Sequence, residues 1–245
     1  MTANPAEPAQ SGRPLDALST HEYSLATLRD LGWRPGAIID IGVGTGTAGL
    51  YSTWPDVTIC LIEPSPASLP YMQQIAARFD DVRIYNVGAS DSAGVRTGTK
   101  SPKSVTVVFG DAKPKWPTAE FPVMRCDDIV ADAALSPPFL YKLDTDVHEL
   151  EVLKGSAETL AKSELCIIEV NVFNRFRGLA RPEQVWQVMH DAGFSFFGVA
   201  GLGRAKSGLC RAVDLMFARN DGALFELAFQ NSHKAARIIP IGLMV

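Results

Sequence analysis

The stretch AIIDIGVGTGTAG, from Ala37 to Gly49, decides the fold. Ala37 to Ile41 is a short apolar run bounded by glycine, the pattern of a strand buried on both faces. The residues that follow place Gly44, Gly46 and Gly49 in a GxGxxG spacing, which lets a backbone turn tightly and approach a ligand closely. Outward from this loop, Val57 to Ile62 is a second buried strand, ending at Glu63. A carboxylate at that strand end is placed to take the two hydroxyls of a ribose.

Further out, apolar runs keep alternating with helical periodicity. Leu15 to Leu31 predicts a first helix closed by Gly32 and Pro35. Ser65 is a candidate cap and Pro66 a first helical residue for a helix carrying Leu69, Met72, Ile75, Ala76 and Phe79 on one face. Arg83 to Val87 predicts a third strand. Ala89 to Cys126 is rich in Gly, Ser, Lys and Pro and is expected to be irregular, with strands only at Val105 to Phe109 and Val123 to Cys126. Asp127 is a candidate cap for a short helix. Phe139 to Leu143 and Leu165 to Val170 are strand-like, and a helix between them should begin after Asp146, with Glu149 in the reciprocal capping position, and stop at Lys154-Gly155. Pro182 to Ala192 predicts a helix ended by Gly193, and Ser195 to Val199 with Val213 to Ala218 an antiparallel pair. The expected fold is α/β: a Rossmann-like, doubly wound, mostly parallel seven-stranded sheet with a C-terminal antiparallel strand. The domain is expected to span 15–220, after a flexible N-terminal segment 1–14 and before a tail, 221–245, that includes the apolar Ile238 to Val245.

Composition restricts the class. The chain has 245 residues, 47% hydrophobic and 20% charged, with a formal net charge of -4. It can bury a core, and it lacks the basic balance of a broad nucleic-acid binder. No apolar run is long enough to span a bilayer, and Met1 to Pro14 has no basic-then-apolar order, so a cytoplasmic location is expected. Cys60, Cys126, Cys166 and Cys210 form no CxxC or Cys/His cluster and read as free thiols. Oligomeric state is not legible, although the apolar tail suits an interface as well as a core.

Charge then separates the possible cofactors. Asp40, Glu63, Asp144 and Asp146 all stand at strand ends that should line one crevice. A pyrophosphate with about two negative charges is repelled by such a set, whereas a sulfonium and an ammonium are attracted. S-adenosylmethionine carries both of these cations. A nicotinamide-dependent oxidoreductase shares the glycine spacing but would need a catalytic pair such as Tyr-x-x-x-Lys, and Tyr141 and Lys142 are adjacent, on opposite strand faces. A non-catalytic cofactor-binding or interaction protein on the same fold stays open.

The residues carry a family resemblance. DIGVGTG (Asp40 to Gly46) resembles motif I of class I methyltransferases. LIEPSP (Leu61 to Pro66), NVGASDSAG (Asn86 to Gly94), CDDI (Cys126 to Ile129), YKLDTDVHELEVLKG (Tyr141 to Gly155) and IIEV (Ile167 to Val170) resemble the FkbM family, mostly O-methyltransferases of natural products and glycans. The similarity runs from about Leu25 to Arg219. In the long block Asp146 stands where glutamate is usual, and Val147 where glycine is usual. The resemblance implies an O-methyltransferase that uses S-adenosylmethionine on a hydroxyl of a small molecule or glycan. Asp40, Gly42, Gly44 and Gly46 would shape the methionine pocket, Glu63 would hold the ribose, and Gly88, Ala89 and Ser90 would lie near the adenine.

Methyl transfer to oxygen needs alignment and a proton acceptor. Asp144, at the end of a central apolar strand, is the first candidate for a functional carboxylate. Its contact can be cofactor, acceptor or a divalent ion, because a carboxylate alone does not tell Mg²⁺ from a hydrogen bond. His148, expected near the crevice rim, has an unperturbed pKa suited to a base; its bland alternative is a solvent-facing histidine. Glu169, beside Asn171, is better suited to positioning than to proton transfer, and Asp146 to capping. Arg175, Arg177 and Arg181 can hold an anionic acceptor group or be solvated. The same holds for Lys100, Lys103, Lys113 and Lys115, which can also form a lid. SPPF (Ser136 to Phe139) has the letters of an amine-methylation motif but precedes its strand, and reads as a rigid turn.

Overall fold

The computed structural model describes residues 21–110, 113, 115–173 and 178–231. The expected N-terminal segment, the first residues of the predicted first helix, Arg175, Arg177 and the Ile238 to Val245 tail lie outside the described residues.

A seven-stranded sheet forms the centre, in the order β10-β11-β9-β8-β1-β2-β3. Its strands are β1 (Ala37–Ile41), β2 (Thr58–Ile62), β3 (Val82–Tyr85), β8 (Phe139–Leu143), β9 (Ser163–Asn171), β10 (Phe194–Arg204) and β11 (Cys210–Arg219). All pairings are parallel except those of β11, which is antiparallel to both neighbours. The doubly wound sheet expected from the sequence is therefore present, with the antiparallel strand inserted one place in from the edge.

Side chains alternate between two cores, one on each face. One core holds Ile39, Tyr141, Cys166, Ile168 and Phe217 against α4 (Cys126–Asp132), α5 (Glu149–Lys154), α6 (Ala157–Ala161) and α7 (Pro182–Asp191). The other holds Ile38, Leu140, Leu165, Ile167 and Met216 against α1 (His21–Asp30), α2 (Ala48–Ser52), α3 (Leu69–Ala76) and α8 (Ala223–Gln230). The chain runs past Asn220 into α8, whose Leu224 is buried and whose N-terminus is held by Glu164: Oε1 accepts the Leu224 N–H at 3.1 Å. The other oxygen of Glu164 accepts the Trp33 indole N–H at 3.0 Å.

The segment expected to be irregular apart from strands at Val105 to Phe109 and Val123 to Cys126 forms a complete second sheet, in the order β4-β7-β5-β6. It comprises β4 (Gly88–Ser90), β5 (Gly94–Lys100), β6 (Val107–Phe109) and β7 (Thr118–Arg125). Its strands carry Gly, Thr and Lys on their exposed faces, so the apolar signal reduces to a few residues such as Val107, Val108, Phe121 and Val123.

Three expected caps differ from the structure. Ser65 makes no side-chain cap; its backbone N–H donates to Glu63 Oε1 at 2.9 Å, and Pro66–Ser68 is a 3₁₀ turn leading into α3. Asp127 does not cap its own helix. It accepts the backbone N–H groups of Glu158 and Thr159, capping α6 from outside. Glu149 reaches the Val147 N–H at 3.1 Å rather than Asp146, because the chain enters α5 through positive φ at Asp146 (48°) and Val147 (98°).

Candidate functional site

The parallel strands β2, β1, β8 and β9 end at one edge, and the register fixes what stands there. One residue beyond the pairs Ile41↔Ile62, Ile41↔Leu143 and Leu143↔Ile168 come Glu63, Gly42, Asp144 and Glu169, and Glu169 pairs with Asp214 of β11. Five neighbouring strands thus present Glu63, Gly42, Asp144, Glu169 and Asp214 in one line, all on the α1 face.

A cavity of about 170 Å³ opens at the Glu63 half of this line. Its floor is Ile41, Gly42, Gly44, Glu63, Pro64, Asp144, Thr145 and Asp146; Gly88 and Ala89 stand beside them, and the second sheet adds a wall of Val105, Thr106, Val107 and Phe109. The glycine loop makes this approach possible. Gly42 has φ +84°, and a Cβ there would lie 1.7 Å from the Asp144 carbonyl oxygen. Of the residues named from sequence, Gly42, Gly44, Glu63, Gly88, Ala89, Asp144 and Asp146 line the cavity.

Glu63 is held in place by backbone donors. Oε2 accepts the Gly44 N–H at 3.0 Å and Oε1 accepts the Ser65 N–H at 2.9 Å. Burial nevertheless pushes its pKa up to about 7, against the pull of those two donors.

Asp40 does not line the cavity. It is fully buried, accepts the Tyr51 hydroxyl and faces Lys142 Nζ at 3.5 Å. Lys142 Nζ also stands 3.4 Å from Asp144 Oδ2, so one buried ammonium serves both carboxylates. Burial works against that charge, yet Asp40 and Asp144 outweigh it and hold the lysine above its ordinary pKa. The sequence reading missed this role, although a lysine on the α1 face of an apolar strand, flanked by Asp40 and Asp144, signals it. Gly46, with φ +103°, leaves room for Ile75 rather than for a ligand.

His148 is neither at the rim nor in solvent. It is buried, its Nε2 lies 3.0 Å from the Ser90 Oγ, and its ring packs 4.7 Å from that of Phe109. Glu151 Oε2 is 3.7 Å from its other nitrogen. Ser90 is also fully buried, so this serine and histidine join β4 to the start of α5, and neither they nor Glu151 line the cavity. Glu169 is partly buried and flanked by Asp144 and Asp214; burial first, then those charges, push its pKa up to about 8. Arg181 binds Gln184 and Glu183 at the start of α7, and Lys113 sits over the Trp116 ring. Among the described residues, no group of three or more His, Cys, Asp or Glu is arranged to hold a metal ion, and no helix is long and apolar enough to cross a membrane.

With three carboxylates and no basic side chain lining the cavity, the donor set suits a cationic nucleoside. The profile of the FkbM methyltransferase domain matches residues 55–196, more than half of the chain. The protein belongs to the FkbM methyltransferase family.

Solved structures to which the chain is similar include magnesium protoporphyrin IX methyltransferase from Synechocystis PCC 6803 with bound SAM. It is 14% identical, with 86% of each chain covered and a TM-score of 0.46. The 1,6-didemethyltoxoflavin-N1-methyltransferase of Burkholderia thailandensis is 14% identical over 83% of this chain and 80% of that one, with a TM-score of 0.43. A duf574 family protein of Streptomyces avermitilis is 12% identical over 81% and 80%, with a TM-score of 0.49. The comparison with curated proteins finds no match.

Proposed function

We propose that this protein transfers a methyl group from S-adenosylmethionine to a hydroxyl of a small molecule or glycan. The observation that carries the reading is the cavity itself: a glycine loop and three carboxylates, one of them the fixed Glu63, without a basic side chain. Each oxygen of Glu63 has accepted one backbone N–H and keeps a lone pair, which suits two ribose hydroxyls. Gly42 and Gly44 give the methionine part close backbone approach, and Asp144 with Asp146 suits its cationic groups. Ala89, Val107 and Phe109 supply an apolar slot for the adenine. The bound cofactor supplies an electrophilic methyl group; the chain's part is to align the acceptor with it and remove a proton.

The described cysteines are free, which fits a reducing cytoplasm. Calorimetric titration with S-adenosylhomocysteine, then with NAD⁺, each with and without Mg²⁺, tests the cofactor. Saturable binding of the first and silence to the second are expected; binding of NAD⁺ alone would overturn the reading. Incubation of S-adenosylmethionine with candidate alcohols, followed by mass spectrometry for the gain of one methylene, tests the acceptor class. Exclusive methylation of amines would remove the hydroxyl assignment.

A further inference from the structure

The far half of the carboxylate line, beyond Asp144, holds Glu169 and Asp214, and it is faced by a residue that the sequence reading passed over. His21 is the first described residue of α1, and its Nε2 stands 3.5 Å from Asp214 Oδ2, with the two side chains 20% and 15% exposed. The backbone of β10 makes room for this approach. A Cβ on Gly201 would fall 2.3 Å from Asp214 Oδ2 and 3.4 Å from His21 Cε1. His21 Nε2 is buried beside the carboxylate, where it makes no hydrogen bond among the described residues, while the side chain keeps an exposed part. A carboxylate this close to one imidazole nitrogen favours the tautomer with the proton on that nitrogen and leaves the other as an acceptor.

Its neighbours compete poorly for a proton-accepting role. His148 is engaged with Ser90 and does not line the cavity, and Asp144 shares Lys142 with Asp40. Glu169 is held protonated near neutrality. His21 is neutral there: burial lowers its pKa, and Lys142 adds to this, against Asp214, Asp40 and Asp144.

We propose that His21, oriented by Asp214, accepts the proton of the acceptor hydroxyl during methyl transfer, so that α1 carries the base and Asp214 is its positioning residue. The inference rests on the methyl-transfer reading above. The acceptor oxygen forms a bond to the methyl carbon as the carbon–sulfur bond breaks, its electron pair remaining on sulfur and turning the sulfonium into a neutral thioether. The hydroxyl proton passes to Nδ1 of His21. The resulting imidazolium is faced by Asp214 and returns its proton to solvent through the exposed part of the ring.

The test needs no acceptor. In the full chain labelled with ¹⁵N-histidine, long-range proton–nitrogen spectra report the tautomer and titration of His21, assigned through His21→Gln. The Nε2–H tautomer is expected at neutral pH and should be lost or mixed in Asp214→Asn. Saturation with S-adenosylmethionine should lower the His21 pKa by about half a pH unit or more relative to S-adenosylhomocysteine, since the ligands differ by the charge on sulfur. Identical titrations with the two ligands, or an unchanged tautomer in Asp214→Asn, would overturn the base. Calorimetry on the same samples separates the two readings. Binding of the ligands with an indifferent His21 removes the base alone, and silence to both ligands removes methyl transfer and the base with it.

Discussion

Glu63 Oε2 accepts the backbone N–H of Gly44 at 3.0 Å, so the acid that ends β2 is fixed by the glycine loop that follows β1. The two sequence signals of a nucleoside site are thereby one mechanical unit. Substitution Glu63→Ala should weaken S-adenosylhomocysteine binding by about 1–3 kcal/mol, the scale of a lost charged hydrogen bond. Calorimetry at pH 8 checks this, and wild-type affinity in the variant would remove Glu63 from the ribose.

The same group sets a pH dependence. In the proposed site the ribose hydroxyls would donate to the ionised carboxylate, and burial pushes the Glu63 pKa up to about 7 in the free protein. Affinity should therefore be constant above about pH 8 and fall below 7, approaching tenfold per pH unit. Titrations between pH 5.5 and 8.5 that show a flat profile would contradict this.

Glu149 is buried at the start of α5 and also pushed up to about 7, mainly by burial. Its folded value lies above its unfolded one, so its contribution to stability is full below about pH 4.5 and is lost as pH rises through 7. Glu149→Gln removes that dependence. Relative to wild type, the variant should gain about 2 kcal/mol of unfolding free energy between pH 5.5 and 8. Comparing the two by urea unfolding at both pH values cancels the opposing effect of His21 and His148, whose pKa values are lowered by burial.

Lys142 is enclosed with two carboxylates, so Lys142→Met leaves Asp40 buried without its cation. A loss of about 3–5 kcal/mol is expected, and Lys142→Met with Asp40→Asn should recover part of it. Equal stability of the single and double variants would show that the lysine does not compensate Asp40.

Val147 adopts φ +98°, a conformation that costs a β-branched residue about 1–3 kcal/mol. Val147→Gly should raise stability by about 1 kcal/mol or more, read from the urea midpoint. A loss would mean that the packing of the Val147 side chain outweighs its backbone strain.

The central sheet was legible because its strands are continuous apolar runs, and β1 and β8 fall where those runs predict. Of the second sheet only β6 and the end of β7 were legible, because Gly94 to Lys100 and Thr118 to Arg125 place threonine, lysine and glutamate outward and share few apolar residues. Within the site, the acids at strand ends could be named, but not which of them touch the cavity. Asp40 and Asp144 lie on the same face two residue levels apart, and Lys142 is shared between them. The burial of His148 depends on the contacts of Ser90 and Phe109 from the second sheet, which periodicity does not reveal. His21 was missed because its partner, Asp214, lies 193 residues further along the chain.

The line of four acids and Gly42 across five strands also bears on how the sheet assembles. Side chains alternate along each strand, so a slip of one residue in β8 would turn Lys142 and Asp144 into the core that holds Tyr141 and Leu143. A misaligned β8 would bury charges among aliphatic side chains, and a similar slip in β9 would do so with Glu169. The acids at the strand ends thus penalise wrong strand pairings, and the chain's chemistry acts as a check on its own folding.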